Sequence, residues 1–168
     1  GFVVQVNGIN TVFASSIERL DIQTGAGSDN VAGGDLDDSF LSFGGNDTFV
    51  GGAGDDVASL DYLYSSWTLP VLTLRGGTGT DVLSWWAQQS ITEAHLFDIT
   101  SGIFTRGGLS LGSILGFERL FFTGGLGADT AIGGAFDDIL TGSDGADQLV
   151  GGAGNDTLRG EAGGDTLT

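Results

Sequence analysis

A nine-residue period constrains this chain more than any other feature. From Gly124 to Thr168 the sequence divides without remainder into GGLGADTAI, GGAFDDILT, GSDGADQLV, GGAGNDTLR and GEAGGDTLT. The sixth place is always Asp (Asp129, Asp138, Asp147, Asp156, Asp165), and the eighth is Ala131, Leu140, Leu149, Leu158 and Leu167. A second array, TGAGSDNVA, GGDLDDSFL, SFGGNDTFV and GGAGDDVAS, runs from Thr24 to Ser59 with Asp29, Asp38, Asp47 and Asp56 at its sixth places. One isolated copy, GGTGTDVLS, carries Asp81. Self-similarity at a fixed short period marks a solenoid, in which each repeat buries its apolar face only against its neighbours.

The arrays are also copies at a larger scale. IERLDIQTGAGSDNVAGG from Ile17 and FERLFFTGGLGADTAIGG from Phe117 align without a gap, and about 18 of 43 positions are identical through Ser59 and Arg159. Strand-like lead-ins, FVVQV and GIFTRGG, precede the two copies. We therefore divide the chain into residues 1–59 (lead-in and first array), 60–100 (a connecting β segment holding the isolated repeat 76–84) and 101–168 (lead-in and second array). The chain starts at Gly1 and stops inside the pattern, so it reads as a portion of a longer protein.

Composition closes off other classes. With 22 acidic and 5 basic side chains, the formal charge is −17, and the positive surface that nucleic acid requires is missing. No apolar run approaches the ~18 residues that suggest membrane insertion. Cysteine is absent, which excludes disulfides and thiolate metal sites. The single proline and the lack of a three-residue glycine period exclude collagen. The charge favours disorder while the 40% apolar content opposes it, so such a chain folds once something cancels the charge.

The nonapeptide GGxGxDxUx, with U a large apolar residue, resembles the RTX or hemolysin-type calcium-binding repeat family. Ten nonapeptides carry the resemblance, a little over half the chain, and GGAGNDTLR matches at every place. The resemblance implies an all-β fold, a right-handed parallel β-roll or β-solenoid with calcium-binding glycine-rich loops. It also implies that each Ca²⁺ sits between loops n and n+2, held by two sixth-place aspartates and by glycine-loop carbonyls. Asp29, Asp38, Asp47, Asp56, Asp129, Asp138, Asp147, Asp156 and Asp165 are the metal candidates, with Gly125, Gly127, Gly134, Gly152 and Gly154 in the loops.

Glycines at places one, two and four permit the tight loop, and places seven to nine form a short strand with one inward side chain. If two nonapeptides make one coil, loops eighteen residues apart stack about 4.8 Å apart on one edge. That pairs Asp129 with Asp147, Asp147 with Asp165, Asp138 with Asp156, Asp29 with Asp47, and Asp38 with Asp56. Two bare carboxylates at this spacing repel by roughly 3.5 kcal/mol at an effective dielectric of 20. Five such pairs exceed a domain's usual margin of about 5–15 kcal/mol. A cation between them reverses the sign, and a flexible set of hard oxygens suits Ca²⁺ better than Mg²⁺. Ion binding then becomes folding free energy.

Several copies depart from the pattern. Leu36 and Phe136 replace glycine at place four beside Asp37–Asp38 and Asp137–Asp138, and SFGGNDTFV lacks its first two glycines. Ala58 and Ala131 are small inward residues, expected where the solenoid narrows or its register shifts. Asp81 has no partner eighteen residues away, since positions 63 and 99 are Leu63 and Ile99, and is the weakest metal candidate. VLTLR, AHLFDIT and LGFERLFF read as strands, and Glu18–Arg19 and Glu118–Arg119 as braces at the head of each array. Tyr62, Tyr64, Trp67, Trp85 and Trp86 read as core filling, with stacking on sugar rings as the alternative. GLSLG around Ser110 mimics a nucleophile elbow but lacks the strand–turn–helix and a following histidine. His95 reads as structural or exposed. No HExxH zinc motif is present.

These readings lead to a non-catalytic calcium-binding structural module. The resemblance implies a secreted or cell-surface bacterial parent, exported by type I secretion and folding on extracellular calcium, with an adhesin or surface-layer role. The alternative is the C-terminal module of an exported carbohydrate-active enzyme, protease or toxin. Calcium is the expected partner, without nucleic acid or membrane insertion. Polysaccharide and neighbouring copies at a cell surface are further candidates.

Overall fold

The computed structural model describes residues 2–6, 10–13, 19–61, 70–87 and 89–168, with the backbone alone for 2–6, 10–13 and 61. Among them there is no helix, and hence none able to cross a membrane. The first stretch holds β1 (Phe2–Val6), β2 (Asn10–Phe13), β3 (Leu20–Thr24), β4 (Asp29–Ala32), β5 (Ser39–Ser42), β6 (Thr48–Ala53) and β7 (Val57–Asp61). The middle holds β8 (Leu72–Thr78), β9 (Val82–Trp86), β10 (His95–Asp98), β11 (Ile103–Arg106), β12 (Leu109–Ser110) and β13 (Gly112–Leu115). The last holds β14 (Arg119–Thr123), β15 (Thr130–Ile132), β16 (Ile139–Gly145), β17 (Gln148–Val150), β18 (Thr157–Gly163) and β19 (Thr166–Leu167).

Alternate strands join alternate faces, as the two-nonapeptide coil requires. One sheet runs β1-β3-β5-β7-β9-β14-β16-β18, parallel throughout. The opposite face is shared by the parallel sheet β13-β8-β6-β4-β2 and by β12-β11-β10-β15-β17-β19. In the latter, β10, β11 and β12 form an antiparallel meander inserted between β9 and β13. The register is the expected one, with Phe40 beside Ala58 and Leu140 beside Leu158. The long sheet does not break at the connecting segment, because β9 pairs with β7 on one side and β14 on the other. The strands expected at VLTLR, AHLFDIT and LGFERLFF are β8, β10 and β14.

The core is a file of inward eighth-place residues. Val31, Phe40, Phe49, Ala58, Leu83, Ala131, Leu140 and Leu149 are all buried, and Leu158 packs on them. Ala58 and Ala131 cause no register shift, since Ala58 pairs with Leu83 and Ala131 with Phe97. Around the meander the core is filled by aromatic residues: Trp85 lies 4.9 Å from Phe97, and Phe97 lies 4.7 Å from Phe104 and 5.3 Å from Phe122. Trp85 is thus a core residue, whereas Trp86 on the other face of β9 is exposed. Tyr62, Tyr64 and Trp67 lie outside the described residues. Ser110 is exposed in β12, with no helix after it.

Candidate calcium-binding loops

The glycine loops place the sixth-place aspartates from Asp38 onward beside the preceding coil on their own edge. Asp38 Oδ1 accepts the Leu20 N–H at 2.7 Å, Asp56 Oδ1 that of Asp38 at 2.7 Å, and Asp81 Oδ1 that of Asp56 at 2.8 Å. Asp81 N–H in turn donates to Glu118 Oε2 at 2.9 Å. Further along, Asp138 accepts from Leu120 and Asp156 from Asp138. On the other edge Asp47 accepts from Asp29, Asp147 from Asp129 and Asp165 from Asp147, at 2.8–3.0 Å. The structure therefore brings together all five pairs expected from the period. It also stacks Asp81 on Asp56, a partner the eighteen-residue count misses because the coil there is 25 residues long. Eight of these aspartates, all but Asp156 and Asp165, are at most 3% exposed.

The second carboxylate oxygen tells the loops apart. In the loops of Asp38, Asp129 and Asp138, Oδ2 accepts the place-two N–H of Gly34, Gly125 and Gly134 at 2.7–2.9 Å. In the loops of Asp56, Asp81 and Asp147, place two is Gly52, Gly77 or Ser143, with φ of 119°, 135° and 78°. That left-handed backbone turns the N–H away, and Oδ2 is buried without a hydrogen-bond partner. Asp47 is a third case, because Ser42 Oγ (2.7 Å) and Thr24 Oγ1 (3.0 Å) donate to its Oδ2. The hydroxyls at those first places do the work that the missing glycines of SFGGNDTFV leave open.

First-place glycines bring carbonyls to the same oxygens. A side chain at Gly33, Gly51, Gly124 or Gly133 would collide with the Oδ2 of its own loop's Asp38, Asp56, Asp129 or Asp138. It would also collide with the carbonyl of Gly51, Gly76, Gly142 or Gly151 in the next coil. Gly134 and Gly152 are held against the Glu118 and Gly134 carbonyls, and Gly127 and Gly154 against the backbones of Glu93 and Phe136. Gly125 lies against the Ile91 carbonyl. The loops that open at Gly33, Gly51, Gly124 and Gly133 thus set a carboxylate oxygen beside a carbonyl in a space with no room for Cβ.

Burial drives the Asp47, Asp81, Asp138 and Asp147 carboxyls above the ordinary aspartate range. Asp56 is pushed up to about 7, by burial first and then by the neighbouring carboxylates of Asp81, Asp38 and Asp37. Buried, mutually repelling carboxylates with unpartnered oxygens beside carbonyls are what a hard cation satisfies, so the residues fit Ca²⁺. Among the described residues no three acidic or imidazole side chains converge on one point. The carbonyls are therefore a necessary part of any such ligand set.

Three features escaped the sequence reading. Glu118, expected as a brace, completes the ladder above Asp81. Its neighbour Arg119 does brace: Nε donates to the Asp137 carbonyl at 2.9 Å, and the guanidinium lies over the Phe121 ring. Glu18 lies outside the described residues. His95 stands in register where a sixth-place aspartate would precede Asp129, with its N–H 2.7 Å and its Nδ1 3.0 Å from Asp129 Oδ1. Fifth places form an outer ladder, where Asp37 Oδ1 accepts from Asp55, Asp55 Oδ1 from Thr80, and Asp137 Oδ1 from Asn155, each at 2.8 Å.

A parallel β-solenoid with glycine loops and carboxylate ladders along both edges defines the class as a calcium-binding repeat module. The family model of the RTX calcium-binding nonapeptide repeat, in four copies, matches residues 23–58, 123–158 and 132–167, so these segments are copies of that repeat. No curated protein matches the sequence significantly.

Proposed function

We propose that this chain is a non-catalytic, calcium-stabilised β-roll module of a secreted or cell-surface bacterial protein. It is exported unfolded by type I secretion and serves as a scaffold in an adhesin or surface-layer setting. The observation that carries the reading is the buried Oδ2 atoms of Asp56 and Asp81 on one edge and of Asp147 on the other, each left without a hydrogen bond by a left-handed place two. Bound there, calcium would supply the positive charge, while the aspartates and the glycine-loop carbonyls hold it. In a low-calcium cytosol the same carboxylates oppose folding. Extracellular modules bind at about 10⁻⁴–10⁻³ M, so the ion acts as a signal that the chain has left the cell.

Circular dichroism tests this. With EDTA the strand signal should be weak, and calcium should restore it cooperatively, with magnesium much less effective. A full strand signal after exhaustive chelation would refute it. The sugar-stacking alternative loses Trp85 to the core.

A further inference from the structure

The matched repeats stop at residue 58 and resume at 123, yet the carboxylate ladder does not stop. We propose that the seam between the arrays is itself a calcium site, formed by Asp81, Glu118 and the Gly116 carbonyl. This rests on the calcium reading above and extends it to residues outside every matched repeat.

The seam is equivalent to the repeats around it. At Gly33, Gly51, Gly124 and Gly133 the same pair of oxygens crowds the glycine: the Oδ2 of its own sixth-place Asp and the carbonyl of the next coil's first glycine. At Gly76 the pair recurs as Asp81 Oδ2 and the Gly116 carbonyl, although Gly116 begins no nonapeptide. Asp81 is fully buried and its Oδ2 has no hydrogen-bond partner. Its loop is of the open kind, with Gly77 at φ 135° and seated against the Gly52 carbonyl.

Glu118 supplies the missing sixth place. The loop that begins at Gly116 reaches its acid in two residues rather than five, and the longer glutamate side chain spans the shortfall. Its Oε2 accepts the Asp81 N–H at 2.9 Å, as Asp56, Asp147 and Asp165 accept the corresponding N–H elsewhere. The Asp81 carbonyl accepts the Glu118 and Arg119 N–H groups at 3.1 and 3.0 Å, which fixes the two loops against each other. The seam thus gathers the Asp81 carboxylate with the Gly116 carbonyl, and the Glu118 carboxylate on the Asp81 N–H, and hard oxygen donors of this kind suit Ca²⁺.

The sixth places of the nonapeptides are all aspartate, and the chain has glutamate only at Glu18, Glu93, Glu118 and Glu161. Infrared spectra of the whole chain with ¹³C-labelled glutamate carboxyls therefore separate seam from repeats. The proposal expects calcium to shift both the aspartate band and the labelled glutamate band. In Glu118→Gln the glutamate shift should vanish, and calorimetry should count one calcium ion fewer per chain. An aspartate shift without a glutamate shift in the wild-type chain overturns the seam site and leaves the repeats standing. A glutamate shift that survives in Glu118→Gln also overturns it. No shift in either band overturns the calcium reading itself, and the seam with it. Should Glu118→Gln fail to fold, Glu18→Gln, Glu93→Gln and Glu161→Gln serve in its place: the glutamate shift should persist in all three, and its loss in one of them overturns the seam site.

Discussion

Replacing Asp56 with Asn should stabilise the metal-free chain and weaken the calcium-loaded one. Asp56 is fully buried, and its folded-state pKa stands near 7 against an ordinary 3.8. Holding it ionised in the metal-free fold costs about 4 kcal/mol, since each pKa unit is worth about 1.36 kcal/mol. Asn keeps the Oδ1 acceptor for the Asp38 N–H. It also places an amide NH₂ where Oδ2 lies near the Gly76 carbonyl. At pH 8 in EDTA the folded-to-unfolded ratio should rise by roughly a thousandfold. The pH dependence has a definite sign. A carboxyl whose pKa is raised on folding contributes stability that is fully present below its unfolded pKa and lost as pH climbs through the folded one. Acidifying the metal-free parent from pH 8 to 5 should recover roughly 2–3 kcal/mol from Asp56 alone, and Asp47, Asp81, Asp138 and Asp147 shift in the same direction. The assay is folding induced by trimethylamine oxide in EDTA, read by circular dichroism at both pH values, followed by calcium titration. Asp56→Asn should fold at lower osmolyte than the parent at pH 8, show less pH dependence, and need more calcium. An equal or higher osmolyte midpoint at pH 8 refutes the reasoning.

Other expectations follow from single contacts. Asp147→Ala removes the acceptor of the Asp129 N–H in the middle of the Asp129–Asp147–Asp165 run and should cost about 3 kcal/mol at saturating calcium. An unchanged urea midpoint would contradict this. Gly133→Ala drives a methyl group into Asp138 Oδ2 and the Gly151 carbonyl. It should cost about 2–3 kcal/mol and raise the calcium needed for half-folding. Ser143→Gly relieves a non-glycine residue at φ 78° and should gain about 1 kcal/mol in thermal unfolding with calcium.

Much of this was legible because period fixes register. Nine residues per strand and eighteen per coil place Leu140 on Leu158 and Asp129 on Asp147, and no other packing preserves both. What stayed hidden lies where residue counts cease to equal coils. Asp81 looked solitary because its partner is 25 residues back and its next neighbour, Glu118, is 37 ahead and of another residue type. His95 occupies a sixth-place position without any flanking glycine pattern, so only the pairing of β10 with β15 identifies it. The open and the hydrogen-bonded loops differ in the backbone angle at place two, where Gly34 and Gly52 are the same letter in different conformations. The departures Leu36 and Phe136 at place four do fall in loops of the hydrogen-bonded kind, which is a faint signal in the letters themselves.

The unequal coil lengths carry a lesson about growth. Between successive carboxylates on one edge the chain travels 18, then 25, then 37 residues, and the same N–H-to-carboxylate bond closes each circuit. In the longest circuit part of the surplus forms β11 and β12, which run antiparallel beside β10 rather than as rungs of the parallel stack. What such a scaffold must conserve is the turn count, not the distance along the polymer. Appendages of arbitrary size can therefore be grafted between turns, provided that an acid arrives on schedule at the next rung.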